Sequence, residues 1–217
     1  MVIPVGIVLS NSALSSKNYR TFLYGNIMSL MGVWIQRLAL GWQAWELSES
    51  AVIVGLVAAL HLLPLIFLTP FFGVLADRVD TRRAAIANHV VMMAIALGLG
   101  ALTLTGTIST NWLLVLSLLH GIANSAYSPV RLTLIVDLVE KHQYPSAVAI
   151  TSMTFNLSRF AGPAVAGAIV AVYGLGVAYL VNAVTYLPVI VSFLIISLTP
   201  SRDAGSGPAG YIDQLIE

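Results

Sequence analysis

The sequence predicts an all-α integral membrane protein with six transmembrane helices, and three observations carry that prediction. Apolar residues make up 58% of the 217-residue chain and charged residues only 9%, against roughly 45–50% and about 25% in soluble domains. Mean hydropathy is +0.91. Six segments reach the ~20 predominantly apolar residues that a helix needs to cross a bilayer, and the breaks between them carry turn chemistry. Seven of the ten Lys and Arg fall on one side of the implied membrane, and the loops of the other side hold none.

The elements follow in order. Residues 1–16 read as a poorly ordered N-terminal tail, because Val2 to Leu9 is apolar but lacks the basic start of a signal peptide. The spans run over 20–45, 51–75, 84–106, 111–138, 145–172 and 175–198. Glu46 to Ser50, the charged stretch Gly73 to Arg83, Thr105 to Asn111, Glu140 to Pro145 and Tyr173 to Gly176 separate them in turn. Lys17, Arg20, Arg78, Arg82, Arg83, Lys141 and Arg202 share one face, so both ends of the bundle at 17–200 are expected in the cytoplasm. Residues 201–217 are Gly-, Ser- and Pro-rich to Gly210 and then start a further helix, as an interdomain linker inside which the chain is cut. With no cysteine, a disulfide, a thiolate nucleophile and a cysteine-held metal are excluded. No cofactor, metal or nucleic-acid partner is expected. No carboxylate pair or nucleophile–base pair lies within the spans, so an enzyme is not expected either.

Polar residues inside the spans fall on stripes. His120, Asn124, Tyr127 and Arg131 are spaced 4, 3 and 4 in the fourth span, and Ser152, Asn156, Arg159 and Pro163 repeat that spacing in the fifth. Gln36 and Gln43 lie seven apart in the first, with Arg37 alongside. These spans therefore have a wet or buried polar side, whereas the third, apolar beyond Asn88 and His89, is free to face lipid. An intramembrane Arg costs at least ~2.5–3.5 kcal/mol at the helix centre, so Arg37, Arg131 and Arg159 each require a reason. Arg159 falls near mid-membrane, and Arg131 is near enough to the cytoplasmic end to snorkel. Every Asp and Glu sits at a membrane edge or in a tail. The cavity field is accordingly positive, favouring an anionic or acid-bearing solute. His61 and His120 are the titratable groups within the spans whose range allows a proton to load near neutral pH. A lone His is more often a hydrogen-bonding residue, and a proton acceptor is expected in a half this chain lacks. Trp34, Trp42, Trp45 and Trp112 read as interfacial belt residues.

The stretch from Gly73 to Arg83 holds five of the nineteen charged residues. It resembles the Gly-x-Leu-Ala-Asp-Arg-x-Gly-Arg-Lys signature of the major facilitator superfamily. Gly73, Leu75, Ala76, Asp77, Arg78 and Arg82 match; Asp80 stands in place of Gly and Thr81 in place of a basic residue. The Asp80 variant resembles the enterobactin and macrolide exporter subgroup. In the fifth span, Gly162-Pro163-Ala164-Val165-Ala166-Gly167 resembles an antiporter motif, Gly-Pro-x-x-Gly-Gly, with Ala166 for one Gly. The resemblance implies one half of a twelve-helix major facilitator fold, built from two inverted three-helix repeats, in the cell (inner) membrane. It implies alternating-access efflux of a drug- or siderophore-like solute, with membrane lipid, protons and a missing C-terminal half as partners. It implies a cytoplasmic latch of Gly73, Asp77, Arg78, Arg82, Arg83 and Asp137, and a bend and close packing at Gly162, Pro163 and Gly167. Gln36, Arg37, Gln43, His120, Asn124, Tyr127, Asn156 and Arg159 are the candidate cavity residues. Two alternatives stay open: a half-size transporter that pairs with a second copy, and a non-transporting membrane fragment or scaffold.

Overall fold

In the computed structural model, residues 12–76 and 78–196 are described, and among them every regular element is helical. Five α-helices follow one another: α1 (Lys17–Ser48), α2 (Ala51–Ala76), α3 (Thr81–Leu104), α4 (Thr110–Asp137) and α5 (Tyr144–Ile195). Short 3-10 turns at Ala13–Ser15 and Lys141–Gln143 precede the first and the last. Helix starts follow from capping side chains. Ser16 Oγ accepts from the Tyr19 N–H at 3.2 Å, and Asp80 Oδ1 accepts from the Arg83 N–H at 2.7 Å. Asp80, the departure from the signature, is thus the N-cap of α3.

Two of the six expected spans merge into α5, where Gly174 alone leaves the helical region, at φ 81° and ψ 173°. A positive φ suits a residue without Cβ, so the chain reverses there without a loop. Its arms are 144–173 and 175–195. By length and composition α2, α3, α4 and the stretch Lys141–Ile195 are apolar enough to cross a membrane, and α1 is not among them. The polarity of α1 has a structural reason, because Asn26, Gln36 and Gln43 are buried within the bundle.

The packing order follows from the close approaches. Parallel to the first arm of α5, α1 has its Tyr19 hydroxyl bonded to the Ala147 carbonyl at 2.9 Å and Trp34 against Gly162. To the second arm it runs antiparallel, with Gly25 against Val189 and Gln43 meeting Tyr179. Also antiparallel to that arm, α3 places Gly100 on Leu180 near one end, and at the other the Arg82 guanidinium donates to the Leu194 carbonyl. On α4, Gly121 lies against the backbone of Leu60 and His61 in α2. Two apolar cores result. Tyr19, Phe22, Leu134 and Phe193 fill the end nearest the charged turn, and Ile35, Leu99, Leu113 and Tyr179 fill the other.

Two expectations are corrected here. Residues 12–16 are held rather than loose: the Ala13 N–H donates to Ser146 Oγ at 3.1 Å, and Ser16 Oγ donates to the Leu138 carbonyl at 2.7 Å. Nor is the third span a purely outward one. Along α3, Ala85, His89, Met92, Ala96 and Leu99 recur at helical spacing as a buried face, and the least covered helix is α2, where only Val57, His61 and Pro64 are buried. A helix apolar on all sides, such as α2, carries no periodicity that tells its covered face from its bare one. Residues 1–11 and the expected linker at 201–217 lie outside the described residues.

Candidate functional site

A cavity of about 310 Å³ opens between the helices and receives side chains from α1, α2, α3, α4 and the first arm of α5. On α1, Asn26, Ser29, Val33 and Arg37 repeat at three- and four-residue steps and so face the same way. Asn124, Tyr127 and Arg131 do the same on α4, while His61, His89 and Phe155 close the remaining sides. Among the described residues, no Asp or Glu contributes to the wall. A larger groove of about 710 Å³ lies on the outer surface, flanked by Met28, Leu180, Val184 and Val191. Its apolar lining suits lipid chains rather than a polar solute.

Trp34 stands at the centre of the site's charge. The Arg37 guanidinium carbon lies 5.1 Å from its ring centroid and that of Arg159 lies 5.9 Å away, so two cations share one indole. Phe155 packs edge-on against the same ring at 5.7 Å. Trp34 is therefore a cavity residue and not a belt residue. Trp42, Trp45 and Trp112 are exposed, as the belt reading requires.

Behind the wall runs a chain of hydrogen bonds through four helices. His61 Nδ1 lies 3.2 Å from His120 Nδ1, with the rings stacked at 4.8 Å. His120 Nε2 lies 3.4 Å from the Tyr186 hydroxyl. Asn182 Nδ2 donates to that hydroxyl at 3.4 Å and also to Gln36 Oε1. Gln36 and His120 are thus sealed in the core, at 0% and 1% exposure, rather than lining the cavity. Gln43 is sealed too: its Oε1 accepts from the Tyr179 hydroxyl at 2.8 Å, and its Nε2 donates to Thr103 Oγ1 at 2.9 Å. Asn156 turns back on its own helix, its amide donating to the Ser152 carbonyl at 2.9 Å. Of the eight expected cavity residues, Arg37, Asn124 and Tyr127 line it and Arg159 reaches Trp34 beside it. Arg131, expected to snorkel, lines it as well. Residues not anticipated there include Asn26, Ser29, Trp34, His89, Ser128 and Phe155; Asn26, Ser29, Val33 and Arg37 formed a readable stripe, but His89 had only its isolation in an apolar span.

The other motifs fare unevenly. Asp77 lies outside the described residues. Arg78 and Arg83 have exposed side chains, and Asp137 ends α4 half-buried. Arg82 is anchored on the Leu194 carbonyl at the end of α5. Nothing in the described chain lies within 4 Å of a Cβ placed on Gly73 or Gly167, so neither permits a close helix approach here. Gly162 does, because a Cβ there would strike the Trp34 side chain. The dihedrals stay helical at Pro163, and the turn of α5 comes at Gly174 instead.

Sequence comparisons agree with these observations. The family of transmembrane secretion effectors matches residues 9–204. The staphyloferrin A transporter of Staphylococcus aureus is 30% identical over 76% of this chain and 42% of its own length. An uncharacterised MFS-type transporter of Bacillus subtilis, YfiS, is 27% identical over 78% of this chain and 40% of its own. A Salmonella relative named for multidrug resistance, MdtD, is 26% identical over 68% of this chain and 30% of its own. The chain thus spans less than half the length of the curated relatives it matches.

Proposed function

The chain belongs to the transmembrane secretion effector family of the major facilitator superfamily, and from that premise we propose that it forms the N-terminal six-helix half of a twelve-helix exporter. The half comprises α1 to α4 and the two arms of α5 as two inverted three-helix repeats, with both ends cytoplasmic in the cell membrane. It moves a small organic solute of drug- or siderophore-like size outward by alternating access, driven by a coupled ion, while a second six-helix half completes the site.

The observation that carries this reading is the polar cavity between helices whose outer faces are apolar. Such a cavity keeps costly polar groups away from lipid and offers them to a solute. Gly73, Asp77, Arg78, Arg82, Arg83 and Asp137 act in the proposed cycle as a cytoplasmic latch, with Arg82 fastening the start of α3 to the end of α5. Gly162, Pro163 and Gly167 form the antiporter-like segment of the first arm, in which Gly162 seats Trp34.

Efflux from everted vesicles carrying the product of the complete gene tests the proposal. Solute-dependent transport above vector control is expected, and rates equal to the control for anionic, neutral and cationic solutes alike refute it. Because the chain has no cysteine, single cysteines at Thr107 and His142 report topology directly. Labelling of both from the same side overturns the single crossing, by α4, between them. For the latch, Asp77→Asn and Asp137→Asn are expected to be non-additive; independent losses of transport exclude a shared device.

A further inference from the structure

Hydrogen-bond donors crowd the cavity wall, and several have nothing to bond. Asn26 Nδ2, Trp34 Nε1, Arg131 Nε and the Tyr127 hydroxyl are buried without a partner in the protein, and all four residues belong to the wall. Asn26 is 3% exposed and Tyr127 8%. Native structures seldom leave buried donors unpaired, so four around one cavity require acceptors from outside the chain. Among the described residues, the wall that carries these cations holds no carboxylate.

The charges are also spread along the cavity. His89 stacks edge-on with Tyr127 at 4.5 Å and with Phe193 at 5.6 Å, and Phe193 meets Phe22 of α1 at 5.9 Å. Tyr127 is therefore level with the start of α1, and Arg131 lies one further turn towards that end. Asn26, on the same wall, lies eleven residues before Arg37 on α1, about 16 Å between backbones at 1.5 Å per residue, of which inward-reaching side chains leave roughly 10 Å. One cationic pole is Arg131 with Tyr127 and Asn26; the other is Arg37 and Arg159, at 5.1 and 5.9 Å from the Trp34 ring centroid.

We propose that the cavity takes a ligand with two acidic groups, one held at each pole, and a body that lies against Trp34. The proposal rests on the reading of the cavity as the solute site of an exporter. Carboxylates supply the acceptors that the unpaired N–H and O–H groups lack, and charge-assisted bonds to guanidinium are the strongest available. A monoacid leaves one pole unanswered, and a cationic solute meets repulsion at both.

The test titrates the complete purified transporter with suberate, sebacate, octanoate and decylamine, following binding by calorimetry. The diacids are expected to bind at least tenfold more tightly than octanoate, and decylamine not at all. Arg37→Gln and Arg131→Gln are each expected to weaken suberate by roughly 10- to 100-fold, with Lys at either position restoring part of the loss. Unliganded melting temperatures and elution profiles of the variants separate this from misfolding. If octanoate or decylamine binds as tightly as suberate, the diacid assignment falls and the solute-site reading stands. If no organic solute binds in a way that depends on Arg37, Trp34 or Tyr127, both fall.

Discussion

Replacing Gly25 by Ala probes the contact between α1 and the second arm of α5. A Cβ at Gly25 would stand 2.7 Å from Val189 Cα and 2.9 Å from the Pro188 carbonyl oxygen. Both are backbone atoms, so no side-chain rotation relieves the clash. The helices must part by about 0.7 Å before the contact reaches the 3.4 Å of ordinary van der Waals approach. Overpacking of this kind costs about 1–3 kcal/mol, while the better helix propensity of Ala returns about 1 kcal/mol. Gly98 on α3 supplies the reference, because nothing lies within 4 Å of its Cβ position and Gly98→Ala keeps the propensity gain alone. The difference between the two variants is then the clash itself, about 1–3 kcal/mol. That corresponds to about 2–4 °C of melting temperature per kcal/mol for a chain of this length. Thermal denaturation followed by far-UV circular dichroism measures it. Gly100→Ala should fall between the two, since the atom it meets at 2.7 Å is the mobile end of Leu180. Gly25→Ala melting with or above Gly98→Ala would refute the backbone contact and with it the seating of α1.

Three further outcomes are expected. Gly162→Ala displaces Trp34, which meets both Arg37 and Arg159. It should weaken solute binding more than Gly167→Ala, whose Cβ meets open space, and ligand titration of the two variants compares them. Asp80→Ala removes the N-cap of α3 and should cost about 0.5–2 kcal/mol, with Asp80→Asn close to wild type by denaturation. Glu49 closes α1 in the left-handed region, at φ 48° and ψ 26°. Glu49→Gly should therefore stabilise by up to about 1 kcal/mol, and a lower melting temperature would contradict the strain.

Much of the architecture was legible because its signals are local. Tyr173-Gly174-Leu175-Gly176 marked the turn inside α5, and Glu46 to Ser50 marked the end of α1. The stripe His120, Asn124, Tyr127, Arg131 was also correctly assigned to one face of α4. What periodicity cannot supply is the partner opposite each turn of that face. His120 meets His61 and Tyr186 and is sealed, while Asn124, Tyr127 and Arg131 meet space. Gln36 and Gln43 divide from Arg37 for the same reason, since Asn182 and Tyr179 lie 146 and 136 residues away in sequence. Gly73 shows the converse. Its motif matched, yet no neighbour within the described chain explains a glycine there.

The hydrogen-bonded chain behind the cavity has a direction. Asn182 Nδ2 donates hydrogen bonds to Gln36 Oε1 and to the Tyr186 hydroxyl, which leaves that hydroxyl's own proton available to His120 Nε2. In that arrangement His120 is the Nδ1–H tautomer, donating to Nδ1 of His61, and neutral His61 carries its proton on Nε2. An amide on α5 thereby makes a residue of the cavity wall a donor rather than an acceptor. Reversing that amide would reverse every link and change what the wall asks of a ligand. Asn182 is the polarity setter of a site it never touches.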